Sequence, residues 1–124
     1  MESTLKRTWA EVDLDALAHN YERIRRHVGE KTKLLGVIKA DAYGHGAVPV
    51  AKELEALGAS YLAVSNIDEC EEVRRGGVTL PVLMLGFTPA DQAERILELD
   101  MTQAVQSLDI AEAFSDAAVK CGKK

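Results

Sequence analysis

Four short apolar runs, separated by stretches of helical period, leave this chain few architectures. The runs fall at residues 34–38, 61–65, 82–86 and 101–105, recurring every 20 to 27 residues or so. Strands this short and this continuously apolar belong to a sheet buried on both faces. Helices are expected over residues 47–57, from Asn66 to the Gly76-Gly77 pair, over 89–99 and over 108–120. Strand and helix in strict alternation predict a parallel sheet covered by helices. The recurrence is close to the roughly 30 residues per unit of a (β/α)8 barrel, and a small doubly wound sheet is the competing arrangement. Four units make half a barrel, with unpaired edges near Val37 and Ala104. The last residues, Cys121-Gly122-Lys123-Lys124, stand where a fifth strand would begin. The expectation is therefore part of a longer protein, against the alternative of a complete small α/β domain.

Residues 8–14 roughly alternate and predict a short strand or extended lead-in. A helix follows, because Leu14, Leu17, Tyr21, Ile24 and Val28 form one apolar stripe. Asp13 or Asp15 is suited to cap it, Arg25, Arg26 and His27 favour its last turn, and Gly29 is placed to end it. Asn66 with Glu69 approximates a capping box, and Asp68 and Glu69 read as acidic residues complementing the helix dipole.

Composition narrows the function classes. The net charge is −5, the opposite of the basic face that nucleic acid requires. No apolar run nears the roughly 20 residues of a membrane span, and residues 1–7 lack a signal peptide's apolar core. Cys70 and Cys121 make neither a disulfide framework nor a metal pair, so a cytoplasmic protein is expected.

The chemistry concentrates in Leu35-Gly36-Val37-Ile38-Lys39-Ala40-Asp41-Ala42-Tyr43-Gly44-His45-Gly46. A lysine closes an apolar strand and faces a loop with a tyrosine, a histidine and two glycines. Catalytic groups of β/α barrels sit at the C-terminal strand ends. An amine partly desolvated there is expected to have a lowered pKa and to act as a nucleophile, as a Schiff-base lysine must. Gly44 and Gly46 allow sharp turns near a ligand, and the Tyr43 hydroxyl suits a phosphate oxygen. Without a second histidine nearby, His45 does not suggest a metal site. On residue types alone, a solvated strand end remains the plainer reading of Lys39.

The stretch from Val37 to Gly46 resembles the pyridoxal phosphate (PLP) attachment signature of alanine racemases, without gaps. Residues 8–17, Leu62-Ala63-Val64 with Asp68-Glu69, and residues 81–86 resemble the same family, so the likeness covers nearly the whole chain. The resemblance implies an α/β fold: the N-terminal half, about four β/α units, of a PLP-binding (β/α)8 TIM-type barrel, preceded by a short strand and helix. Residues 1–124 would be the first part of that barrel domain, with the second half barrel and a C-terminal β domain lying beyond it. The implied activity is the interconversion of L-alanine and D-alanine by two bases. Lys39 would be both the Schiff-base lysine and the base on the D-alanine face. Tyr43 would hold the cofactor phosphate, and Leu85 would line the cofactor pocket or serve as plain barrel core. The opposite base, a tyrosine supplied across a homodimer interface, and the substrate-binding arginine would lie outside residues 1–124. The alternatives are a serine or broad-spectrum racemase, or a non-catalytic PLP-binding barrel protein. A structural domain that binds nothing is the third. His45 and Asp41 receive no role.

Overall fold

A computed structural model describes residues 8–124. The expectation of no signal peptide rests on residues 1–7, outside the described residues. The chain runs α1 (Leu14–Val28), β1 (Leu35–Val37), α2 (Lys39–Gly44), α3 (Ala47–Ala56), β2 (Tyr61–Val64), α4 (Ile67–Arg75) and β3 (Val82–Met84). A 3-10 turn (Ala90–Gln92), α5 (Ala93–Glu98), β4 (Met101–Gln103) and α6 (Leu108–Cys121) complete it.

Local signals set the helix ends. Asp13 caps α1, accepting from the Asp15 and Ala16 N–H groups at 2.9 and 3.1 Å. Gly29 ends α1 at φ 79°, and its N–H donates to the Arg25 carbonyl at 3.0 Å. Two expectations need correction. Residues 8–13 form no strand: among the described residues no strand pairs with them, and Asp13, the cap of α1, is extended. The helix expected over residues 89–99 begins as the 3-10 turn and becomes α-helical only at Ala93.

Strand order separates the two architectures left open by the sequence. All pairs are parallel and the order is β1-β2-β3-β4. A doubly wound sheet reverses direction and carries helices on both faces. An unreversed order with right-handed crossovers puts every helix on one face, as in a barrel wall. The two faces differ accordingly. Leu62, Val64, Val82 and Met84 point to the helices and are completely buried. By strand alternation Leu35, Val37 and Leu83 face the other way, and Leu35 and Val37 remain 42% and 40% exposed. Tyr61 and Thr102 share that uncovered face, their hydroxyls 2.8 Å apart. The edges are β1 and β4, as the sequence predicts.

The N-terminal ends of the strands are tied together by Arg74. Its guanidinium donates to the carbonyls of Leu99, Val78, Leu80 and Asp100 at 2.9, 3.0, 2.7 and 3.2 Å. At the same end Glu55 accepts from Thr79 N–H and Oγ–H at 2.9 and 2.6 Å, and from Leu80 N–H at 3.0 Å. This end is built for stability, which leaves the opposite end of the sheet for chemistry.

Candidate active site

At the C-terminal end of β1 the chain does not enter the glycine loop that the sequence suggests. Ala40, Asp41, Ala42 and Tyr43 take φ values of 51°, 54°, 52° and 55°, one turn of left-handed helix. Each such residue with a Cβ costs about 1–2 kcal/mol, so the surroundings must hold the turn. Several groups do so. Ala42 N–H donates to Ile38 O and Gly46 N–H to Asp41 O, both at 2.9 Å. The Asp41 carboxylate accepts from Ala47 N–H at 2.7 Å, which also caps the start of α3. His45 Nδ1–H donates to the Ala42 carbonyl at 2.9 Å. The sequence left Asp41 and His45 without roles, and the structure shows both bracing this turn. Gly44 and Gly46 lie at φ 87° and 90° and carry the chain out of it.

Lys39 is half-buried where β1 meets this turn. Tyr43 closes the turn and is 61% exposed. Leu85 follows β3, is 46% exposed, and donates its N–H to the Val64 carbonyl at 2.9 Å. Val37 pairs with Ala63 and Ala63 with Leu83. Lys39, Ser65 and Leu85 all lie just beyond the C-terminal ends of β1, β2 and β3. Below these strand ends the uncovered face carries Val37, Ala63 and Leu83, an apolar shelf. An amine, an exposed phenol four residues later and an apolar shelf are groups able to bind a flat aromatic ring bearing a carbonyl and an anionic group.

Two further features support this end of the sheet. A Cβ on Gly86 would collide with the Ser65 carbonyl, so only glycine lets β3 pass β2 here. Gln103 accepts from the Thr88 hydroxyl at 2.8 Å and donates to the Gly86 and Ala104 carbonyls at 2.9 and 2.8 Å. The Gly86–Ser65 approach and the Gln103 bonds to Thr88 and Gly86 were not legible in sequence, because they join residues from different β/α units.

Glu69 also departs from its sequence reading. Asn66 does cap α4, accepting from Glu69 N–H at 3.0 Å. The Glu69 carboxylate does not close the box on Asn66 or simply face the dipole. It accepts from Ser65 N–H and Oγ–H at 2.8 and 3.0 Å, and from Ala40 N–H at 2.8 Å. Burial works to raise the Glu69 pKa, but the Ser65 and Ala40 N–H groups and the Ser65 hydroxyl outweigh it and hold it below the ordinary 4.5. Glu55 is lowered too, first by the Thr79 hydroxyl and then by Thr79 N–H. Both carboxyls thus bind protons more weakly folded than unfolded. Their stabilisation is complete above pH 4.5 and is lost as pH falls below it, through the folded values. The urea midpoint is expected to drop on acidification below pH 4.5, with a shallower drop in Glu55→Gln and Glu69→Gln. An unchanged slope in both variants would refute this.

Residues 12–124 match the family model for the N-terminal domain of alanine racemase. This chain belongs to the alanine racemase family. The alanine racemase of Clostridium perfringens is 44% identical, the alignment covering all of this chain and 32% of that protein. Alanine racemase 1 of Oceanobacillus iheyensis is 45% identical over 94% of this chain and 31% of its own length. The solved alanine racemase of Clostridium difficile superposes with a TM-score of 0.94 at 44% identity, over 98% of this chain and 33% of that one. The chain thus spans about a third of the length of these alanine racemases. Its four-stranded parallel sheet and helices correspond to the N-terminal portion of the barrel.

Proposed function

We propose that residues 1–124 are the first part of the PLP-binding barrel of an alanine racemase that interconverts L-alanine and D-alanine. The observation that carries this is the placement of Lys39: half-buried, just beyond the C-terminal end of β1, and followed by a strained left-handed turn. The groups present fit PLP. Lys39 would hold its carbonyl carbon covalently, Tyr43 would donate to its phosphate, and Leu85 would support the ring. When bound, the cofactor supplies an electron sink that makes a substrate α-proton removable. The Lys39 amine, once free, takes or returns that proton on the D-alanine face. Its half-burial and fixed backbone hold it close to one trajectory, which is where positioning contributes most.

The second base, the group that binds the substrate carboxylate and the rest of the phosphate site would come from chain beyond residue 124 and from a homodimer mate. Residues 1–124 alone are therefore expected to show no meaningful racemase activity. Steady conversion of L-alanine to D-alanine by those residues, abolished in Lys39→Ala, would contradict the division of labour.

The direct test is borohydride trapping of PLP on the intact enzyme followed by peptide mass spectrometry, with Lys39→Ala as control. A single pyridoxyl adduct on Lys39, missing in the control, is expected. Labelling scattered over several lysines, or none, would refute the assignment of Lys39.

A further inference from the structure

Glu69 touches two strand ends at once. One carboxylate oxygen accepts from Ala40 N–H, the other from Ser65 N–H and the Ser65 hydroxyl. Ala40 directly follows Lys39 and is the first of the left-handed residues. The chain one residue before Lys39 is tied as well, since Ile38 N–H donates to the Ala63 carbonyl at 2.9 Å. The backbone on both sides of Lys39 is thus fastened to one neighbour, the β2–α4 unit. That unit is itself rigid, with Val64 of β2 and Cys70 of α4 completely buried beside the clamp.

We infer that Glu69 is a positioning residue for Lys39: by clamping the Ala40 amide to the end of β2, its carboxylate fixes the direction in which the lysine amine leaves the sheet. Every partner of the carboxylate is a donor, and an ionised carboxylate is the side chain that only accepts. Its charge strengthens each bond. Without it, Ala40 is free to relax toward the right-handed region that its Cβ favours, swinging the Lys39 carbonyl and side chain away from the open shelf. A displacement of about 1 Å at a reacting group costs on the order of 10²-fold in rate.

The inference rests on the PLP reading above, and its test separates the two. In the intact racemase, Glu69→Gln and Ser65→Ala are compared with wild type. The readouts are the rate of Lys39 acetylation by acetic anhydride in PLP-free protein, the pyridoxyl yield at Lys39, kcat and KM for alanine, and the melting temperature. Glu69→Gln keeps the shape but turns a donor toward one of the N–H groups. It is expected to fold, to change the acetylation rate of Lys39, and to lower kcat per loaded site roughly 10–100-fold with KM little changed. Ser65→Ala leaves the Ala40 clamp in place and is expected to keep Lys39 reactivity and kcat near wild type. The inference is overturned if Glu69→Gln matches wild type at Lys39, if Ser65→Ala loses as much as Glu69→Gln, or if Glu69→Gln does not fold. The last outcome would make the carboxylate a support for the whole fold. If wild type takes no PLP at Lys39, the PLP reading fails, while the acetylation comparison still decides the role of Glu69.

Discussion

Replacing Lys39 with alanine is expected to lower alanine racemisation by the intact enzyme by at least about 10²–10⁴-fold, the range lost when a positioned proton-transfer group is removed. The loss should exceed that of a simple base, because the same amine is proposed to anchor the cofactor. Tyr43 stands four residues on, and the Asp41 and Glu69 carboxylates are engaged with backbone N–H groups. The folded state should survive, since Lys39 is half-buried and lies outside the core that Ile38, Leu62 and Val64 build. Chiral separation of the alanine product, beside circular dichroism of the variant, checks both halves of the statement. Retention of wild-type rate in a folded Lys39→Ala protein would remove the lysine from the mechanism.

The second large effect concerns the covered face of the sheet. Leu62 is completely buried under the helices, whereas Leu85 is 46% exposed on the other face. Leu62→Ala removes buried methyl groups and leaves a cavity, so it should cost about 2–5 kcal/mol of stability. Small domains hold only about 5–15 kcal/mol in total, so this would remove much of it. Leu85→Ala in the same 124 residues should change stability by no more than about 0.5 kcal/mol, because half of the side chain already meets solvent. Urea unfolding of the two variants side by side measures the difference. Equal losses would mean that the two faces are not covered and open as described. In the intact enzyme Leu85→Ala is instead expected to weaken PLP retention.

Much of this was readable from local pattern. The α1 stripe from Leu14 to Val28, the Asp13 cap and the Gly29 stop lie within one helix, where each signal depends on near neighbours. The four strands and the Lys39 position at the end of the first are likewise short-range features, and the ungapped stretch from Val37 to Gly46 pointed to the family. Alternation misled at residues 8–13, because period alone does not supply a strand partner. The helical period over residues 89–99 likewise does not distinguish the 3-10 turn that opens the segment.

By itself, then, the sequence determined where helices and strands lie, how the helices end, and which lysine terminates a strand. These are decided by residues a few positions apart. Only the tertiary structure decided the strand order, which makes a one-sided barrel wall out of units that would equally suit a doubly wound sheet. It also decided the left-handed turn after Lys39, whose cost is met by groups remote in sequence. Glu69 reads as an ordinary first-turn acid until folding brings Ala40, twenty-nine residues away, against its carboxylate. Such contacts leave no periodic trace, because a hydrogen bond across units constrains two positions without constraining the residues between them.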